Sequence, residues 1–192
     1  TIGNDYHLGL DPYLELTGLA YRITPERSAD GRHRVNTEVM YDNMLHKFKY
    51  GNMNVPGIYI DENTMRMCRT HRMMFLELIE ALYEEGKRDK CLEVLDFAEE
   101  MLPGYNIPYD YTSATMAAYY YQLGEMDKAN AIMTKVADNC VEYLKWGDSL
   151  AKEQRVSSQS TLGHQMAVFG YVLQNFERYQ QKELFNQYYD IY

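Results

Sequence analysis

Residues 75–104 read FLELIEALYEEGKRDKCLEVLDFAEEMLPG, and this stretch decides the fold of the chain. Apolar residues recur three or four positions apart on both sides of Gly86, which is the spacing of amphipathic helices. Gly86 lies where the chain must reverse through a left-handed conformation, and Pro103 follows as a stop signal. The stretch therefore predicts two antiparallel helices, at about 61–85 and 89–102.

A second segment, residues 111–146, repeats the pattern, with Gly124 in the place of Gly86. The two glycines lie 38 residues apart (124 − 86), slightly above the 34-residue period of tetratricopeptide repeats. The second copy departs from that repeat, because Ser113 and Val141 stand where a bulky aromatic residue and a proline are usual. We predict tetratricopeptide-like hairpins; the alternative is an irregular helical bundle with coincidental spacing.

The remaining pattern predicts an all-α fold, a right-handed α-solenoid over residues 61–192 after an irregular segment at 1–60. In the irregular segment we expect short helices at about 12–17 and 37–50, the second capped by Thr37, and an extended stretch at 19–24. The further helices are predicted at about 111–123, 126–146, 160–179 and 182–189. Residues 145–160 are polar, and their helix boundaries are left open.

Composition narrows the function. The chain has 192 residues, 46% of them hydrophobic, which is enough to build a folded core. Its net charge of −9 argues against nucleic acid as a partner and against adsorption to anionic membrane surfaces. No apolar run approaches the length of a membrane span. The opening residues 1–5 contain no initiator Met and lead into no apolar segment, so we expect a fragment of a longer protein.

No catalytic motif is recognisable, so we expect a non-enzymatic chain without a cofactor. Glycine-rich phosphate loops, nucleophile elbows and metal-ligand pairs are missing from the sequence. Cys68 and His71 lie three positions apart on one helical face, where they could share a metal or form a thiolate–imidazole pair. Two ligands make an incomplete metal site, so a packed pair in the core is the favoured interpretation.

Two clusters are candidate binding sites. Arg66, Arg69 and Arg72 recur every three residues and could grip an anion, although a solvated face or pairing with nearby glutamates is the simpler interpretation. The second cluster is an aromatic loop that two prolines stiffen, where flat rings beside an amide and an acid could stack on sugar or grip peptide. In the alternative, its tyrosines tuck onto the repeat. The loop residues are Tyr105, Asn106, Tyr109, Asp110 and Tyr111.

Four stretches resemble one family. They are YLELTGLAYRITP at 13–25, MYDN at 40–43, YIDEN at 59–63 and PGYN at 103–106. They are similar to sequences in large Bacteroidetes membrane proteins whose multi-span N-terminal half is protein-O-mannosyltransferase-like. In that family a soluble C-terminal region with tetratricopeptide-like helices follows the membrane half. The resemblance covers most of the chain and is strongest over residues 8–125.

The resemblance implies that this chain is the soluble C-terminal part of a glycosyltransferase-like membrane protein, at the periplasmic face of the inner membrane. The acids expected to catalyse sugar transfer would then lie in the membrane half, and no catalytic residue carries over. We expect a protein-interaction or scaffold domain with a protein or peptide partner, the membrane half of the same protein included. The alternative is recognition of an acceptor peptide or glycan through the loop 105–111.

Overall fold

A computed structural model describes residues 8–191; the opening residues 1–7 and Tyr192 lie outside the described part. Helices account for 66% of the chain and strands for 4%, which confirms the expectation of a mostly α-helical protein. The chain forms two compact units. The first ends at Ile107 and the second begins at Pro108.

The first unit opens with a small sheet that the sequence analysis did not predict. β1 (Leu14–Leu16) pairs antiparallel with β2 (Tyr21–Ile23) and parallel with β3 (Arg34–Val35). The predicted helix at 12–17 was wrong, because only Asp11–Tyr13 turns, as a short 3-10 helix. Burial along β1 alternates with the two-residue period of a strand, so both of its leucines face the core. The extended stretch predicted at 19–24 contains β2.

Three helices follow in this unit: α1 (Thr37–Asp42), α2 (Glu62–Glu84) and α3 (Arg88–Met101). The helix predicted at 37–50 is shorter, since α1 passes into a π-helical turn at Asn43–Lys47 and then stops. The predicted cap was also wrong. The side chain of Asn36 accepts the cap hydrogen bond from Val39 N–H, while the buried Thr37 donates its hydroxyl to Glu85.

The hairpin of α2 and α3 was predicted well. Asp61 caps α2 by accepting from the N–H groups of Asn63 and Thr64. Gly86 adopts φ +73°, and Lys87 N–H donates to Leu82 O across the turn at 2.9 Å. The helices bury a continuous apolar core. Its fully buried members are Phe75, Leu78, Ile79, Leu82, Cys91, Val94 and Leu95.

The second unit contains five helices in its described part: α4 (Tyr111–Leu123), α5 (Met126–Ser149), α6 (Lys152–Ser157), α7 (Gln159–Arg178) and α8 (Lys182–Tyr189). The bounds of α4 and α8 agree with the prediction, whereas α5 continues three residues further. The short α6 occupies the polar stretch that was left open. α5 packs against both α4 and α7, and α7 packs against α8.

One turn geometry closes three helical hairpins. Gly124 adopts φ +93° and Gln180 adopts φ +59°, both left-handed like Gly86. After each of these residues the next N–H reaches back across the turn. Glu125 N–H donates to Tyr120 O at 2.9 Å, and Gln181 N–H donates to Phe176 O at 2.8 Å. This bond satisfies a carbonyl at the end of the first helix. Both helices of the third hairpin were predicted, at about 160–179 and 182–189, although a glutamine and not a glycine stands in its left-handed position.

Candidate functional site

The predicted aromatic loop is divided between the two units, with Tyr105 and Asn106 in the first. Asn106 Nδ2 donates to the carbonyls of Met53 and Val55, both at 2.7 Å. Tyr105 Oη donates to the carbonyl of Asn54 at 2.5 Å. Both side chains therefore connect this turn to the segment before α2. The Asn106 amide, which a ligand would need as a donor, already donates to two main-chain carbonyls.

The remaining loop residues belong to the second unit. The Asp110 carboxylate accepts from Ser113 N–H at 3.2 Å and caps α4. The carbonyl of Tyr109 accepts from Asn139 Nδ2 at 3.2 Å. Tyr111 is 47% exposed and its ring packs against Tyr171, with centroids 5.3 Å apart, while Tyr105 is 63% exposed. The loop thus offers exposed rings, while its polar groups stabilise local structure.

The three predicted arginines do not share one environment. Arg66 and Arg69 are exposed on α2, whereas Arg72 is buried. Arg72 Nη2 donates to the carbonyls of Leu102 at 3.0 Å and Ile107 at 2.9 Å. Leu102 caps the C-terminal end of α3, where the helix dipole favours a cation. Arg72 therefore stabilises the C-terminal end of α3. Unlike Arg66 and Arg69, it does not face solvent.

Cys68 and His71 also have separate partners. Cys68 Sγ lies 3.2 Å from Met53 Sδ, and His71 Nδ1 donates to Met67 O at 2.8 Å. Burial raises the pKa of the Cys68 thiol, so the thiol keeps its proton at neutral pH. Across residues 8–191 no group of three histidine, cysteine or acidic side chains is arranged to hold a metal ion. Cys68 is buried and His71 is half-buried, and each of these contacts joins the residue to a methionine.

All three thiols should resist modification in the folded protein. Cys68, Cys91 and Cys140 are buried, and burial raises the pKa of both Cys91 and Cys140 to about 11. Because the thiolate is the reactive form, we expect no reaction with Ellman's reagent near pH 8 and full reaction in denaturant. Rapid native labelling of any one thiol, measured by absorbance, would contradict this.

A surface groove lies in the second unit. It has a volume of about 660 Å³ and lies among the C-terminal part of α5, α6 and α7. We call it the α5–α7 groove. Its lining is mostly apolar, with three charged residues at the rim. The lining comprises Leu144, Gly147, Asp148, Lys152, Arg155, Val156, Gln159, Leu162, Gly163, Met166 and Ile191.

Two glycines shape the floor of this groove. A Cβ atom on Gly147 would lie 2.5 Å from Leu162 Cδ2, so a glycine there lets α7 approach α5 closely. A Cβ on Gly163 would meet no atom within 4 Å, because that position faces the open groove. At the rim, Arg155 Nη2 pairs with Asp148 Oδ1 at 2.7 Å. The rim charges thus partly neutralise each other, and the floor stays apolar.

Two exposed aromatic rings lie on α5, where Tyr143 and Trp146 line a separate opening together with Glu142. Tyr143 and Trp146 are one helical turn apart, with ring centroids 6.4 Å apart and planes at 90°. Their exposed fractions are 46% and 45%, and Trp146 is the only tryptophan of the chain. Sequence analysis missed this surface, since it ended the helix at Trp146 and assigned no structure to residues 147–159. The signal was a tryptophan directly before a polar stretch.

Within residues 8–191 no helix is both long and apolar enough to cross a membrane. No protein-family model, no curated protein and no solved structure matches the chain.

Proposed function

We propose that this chain is a non-catalytic module for protein interaction, and that the α5–α7 groove receives an apolar segment of a partner protein. The observation that carries the proposal is the mostly apolar lining of the α5–α7 groove, which has a volume of about 660 Å³. Tyr143 and Trp146 add two half-exposed aromatic rings at a separate opening on α5. Contiguous exposed apolar surface in a folded protein marks interaction sites, because leaving it in water is unfavourable. Tryptophan and tyrosine are also enriched among the residues that dominate binding energy.

The helical hairpins support a tetratricopeptide-like scaffold for this module. The turns at Gly86, Gly124 and Gln180 have the same left-handed residue and the same backward hydrogen bond. In the second unit, α5 packs against α7, so the second helix of one hairpin meets the first helix of the next. This order of contacts is typical of stacked helical repeats, which offer extended surfaces for partners.

The resemblance to Bacteroidetes mannosyltransferase-like membrane proteins supports a proposal about the larger protein to which this module belongs. The chain would be the C-terminal part of a membrane glycosyltransferase-like protein, at the periplasmic face of the inner membrane. Its partners would then include the membrane half of the same protein. Recognition of an acceptor peptide or glycan by the loop 105–111 stays a second candidate. The exposed rings of Tyr105 and Tyr111 favour it, although the Asn106 amide is already engaged.

A negative charge placed in the α5–α7 groove should strongly weaken the capture of a partner protein. We expect Val156→Asp, at a side chain that is 66% exposed in the folded protein, to leave the fold intact. A carboxylate there would have to lose its water when an apolar partner segment docks, so capture should fall about tenfold or more. The measurement is crosslinking and affinity capture from cell-envelope extracts, quantified by mass spectrometry.

The matched control is Tyr59→Asp, which places the same charge at a residue that is 91% exposed in the first unit. This variant should capture the same proteins as the unmodified chain. If Val156→Asp and the unmodified chain capture the same proteins in equal amounts, the groove is not the partner site. Circular dichroism of all three proteins verifies that the helices are retained.

A further inference from the structure

The exposed side of α5 carries a second opening in the second unit, separate from the α5–α7 groove. Glu142, Tyr143 and Trp146 line it, and its volume is about 430 Å³. Trp146 follows Glu142 by four residues and Tyr143 by three, so the three side chains stand together on one side of the helix. All three side chains are exposed. We call this opening the α5 aromatic corner.

The two rings form the walls of a corner and not one flat platform. Their planes are perpendicular, at 90°, and their centroids lie 6.4 Å apart. Because both rings line the same opening, a compact, rounded group can contact both of them, whereas a flat group can stack on only one. The arrangement therefore favours a compact ligand over a planar one.

The electrostatic character of the corner is negative. The face of an aromatic ring carries the negative part of its quadrupole, and an exposed carboxylate is ionised at neutral pH. Within residues 8–191, no hydrogen bond or ion pair engages the Glu142 carboxylate. Lys145, the nearest basic residue along the helix, is not among the residues that line the opening. The two rings and Glu142 thus favour a ligand with a positive charge.

Two other tyrosines of the chain already hold a cation over their rings. Lys90 Nζ lies 4.9 Å from the centroid of the Tyr41 ring, and Lys128 Nζ lies 5.5 Å from that of Tyr120. In the part of the chain that the structure describes, no basic side chain covers either ring of the aromatic corner in this way. A cation at the corner would therefore have to come from outside the chain.

We propose that the α5 aromatic corner binds a quaternary ammonium group. Such a group is compact and positively charged, and aromatic side chains recognise it through the cation–π interaction. Its methyl groups would contact the rings of Tyr143 and Trp146, while the Glu142 carboxylate would offset its charge. The proposal rests on these three residues alone and does not depend on a partner protein in the α5–α7 groove.

The probe is choline chloride, and the chain carries its own reporter. Trp146 is the only tryptophan, so fluorescence excited beyond the absorption of tyrosine comes from the corner alone. At constant ionic strength we expect a saturable change with a dissociation constant in the millimolar range, since two rings and one exposed carboxylate give a modest affinity. The uncharged carbon analogue of choline, 3,3-dimethylbutanol, should bind at least about fivefold more weakly. Equal affinity for the two compounds, or no saturation with choline, would overturn the proposal.

Two variants that keep the reporter test the other two residues. Glu142→Gln should weaken choline binding about threefold, because it removes the charge and keeps the shape of the side chain. Tyr143→Leu should weaken it about fivefold, because leucine stays apolar but offers no ring face to the cation. Circular dichroism verifies that each variant keeps its helices.

The matched control is Asp127→Asn, which removes the same charge from an exposed position on the same helix. It lies about 22 Å from Glu142 along the axis of α5, which exceeds the screening length of about 8 Å at physiological salt. Its affinity for choline should stay within about 1.5-fold of that of the unmodified chain. If Asp127→Asn and Glu142→Gln weaken choline equally, the attraction is a general property of an acidic protein and the proposed site is wrong.

A final experiment distinguishes a free ligand from a lipid headgroup, since both can carry the quaternary ammonium group. The unmodified chain and Tyr143→Leu are sedimented with vesicles of phosphatidylcholine. Sedimentation of the unmodified chain that Tyr143→Leu does not share assigns the corner to a lipid headgroup. Choline binding without sedimentation assigns it to a free ligand, and sedimentation of both proteins with no response to choline contradicts the proposal.

Discussion

Arg72→Met should lower the free energy of unfolding by about 2–4 kcal/mol. The methionine fills much of the same space but donates no hydrogen bond. The carbonyls of Leu102 and Ile107, which now accept from Arg72 Nη2, would be left without this donor in a buried setting. The end of α3 would also lose the cation that offsets its dipole. Urea unfolding followed by circular dichroism measures the change.

Arg69→Met is the matched control, since Arg69 is exposed one turn earlier on the same helix. An exposed substitution away from special features changes stability by about 0.5 kcal/mol or less. If the two variants have the same free energy of unfolding, the carbonyl contacts of Arg72 do not stabilise the first unit. A changed slope against urea would instead show an altered unfolded state.

Gly124→Val should lower the free energy of unfolding by about 1–3 kcal/mol. At φ +93° a β-branched side chain is strained by its own backbone, and the Cβ position meets no atom within 4 Å. The cost is therefore purely conformational.

Gln180→Gly should have the opposite sign and raise stability by about 0.5–1 kcal/mol, because glycine relieves the left-handed strain at φ +59°. The two melting temperatures, measured by calorimetry, should move in opposite directions. If Gln180→Gly destabilises the protein, the glutamine side chain contributes more than its backbone strain costs. The shared turn geometry would then not explain the hairpin of α7 and α8.

Long segments with helical periodicity predicted the helices well. Signals that depend on one residue, such as a helix cap, were less reliable. The hairpin around Gly86 was readable because glycine is the residue that a left-handed turn selects. The break between α7 and α8 was also predicted, at 180–181, although no glycine marks the left-handed position at Gln180. β1 was missed because three residues are too few to separate a two-residue period from a helical one.

The sites were harder to predict than the elements. The three-residue spacing of Arg66, Arg69 and Arg72 indicated that they share one side of α2. Arg72 is nevertheless buried, because it contacts the end of α3, and the sequence of α2 alone does not show that contact. Asn106 looked like a ligand-binding amide, although its partners lie more than fifty residues earlier in the chain. The α5–α7 groove depends on the position of α6 (Lys152–Ser157). The polar residues 145–160 have no clear helical periodicity, so the sequence did not predict this helix.

The short helix α8 links the end of the chain to the α5–α7 groove. Its eight residues are too few to form a stable helix alone, so its order depends on packing. Tyr188 supplies that packing by stacking on Phe176 and donating to Asp138 at 2.6 Å. Ile191, three residues later, lines the groove. By thermodynamic reciprocity, any ligand whose affinity depends on folded α8 holding Ile191 at the groove must also stabilise the folded state of α8.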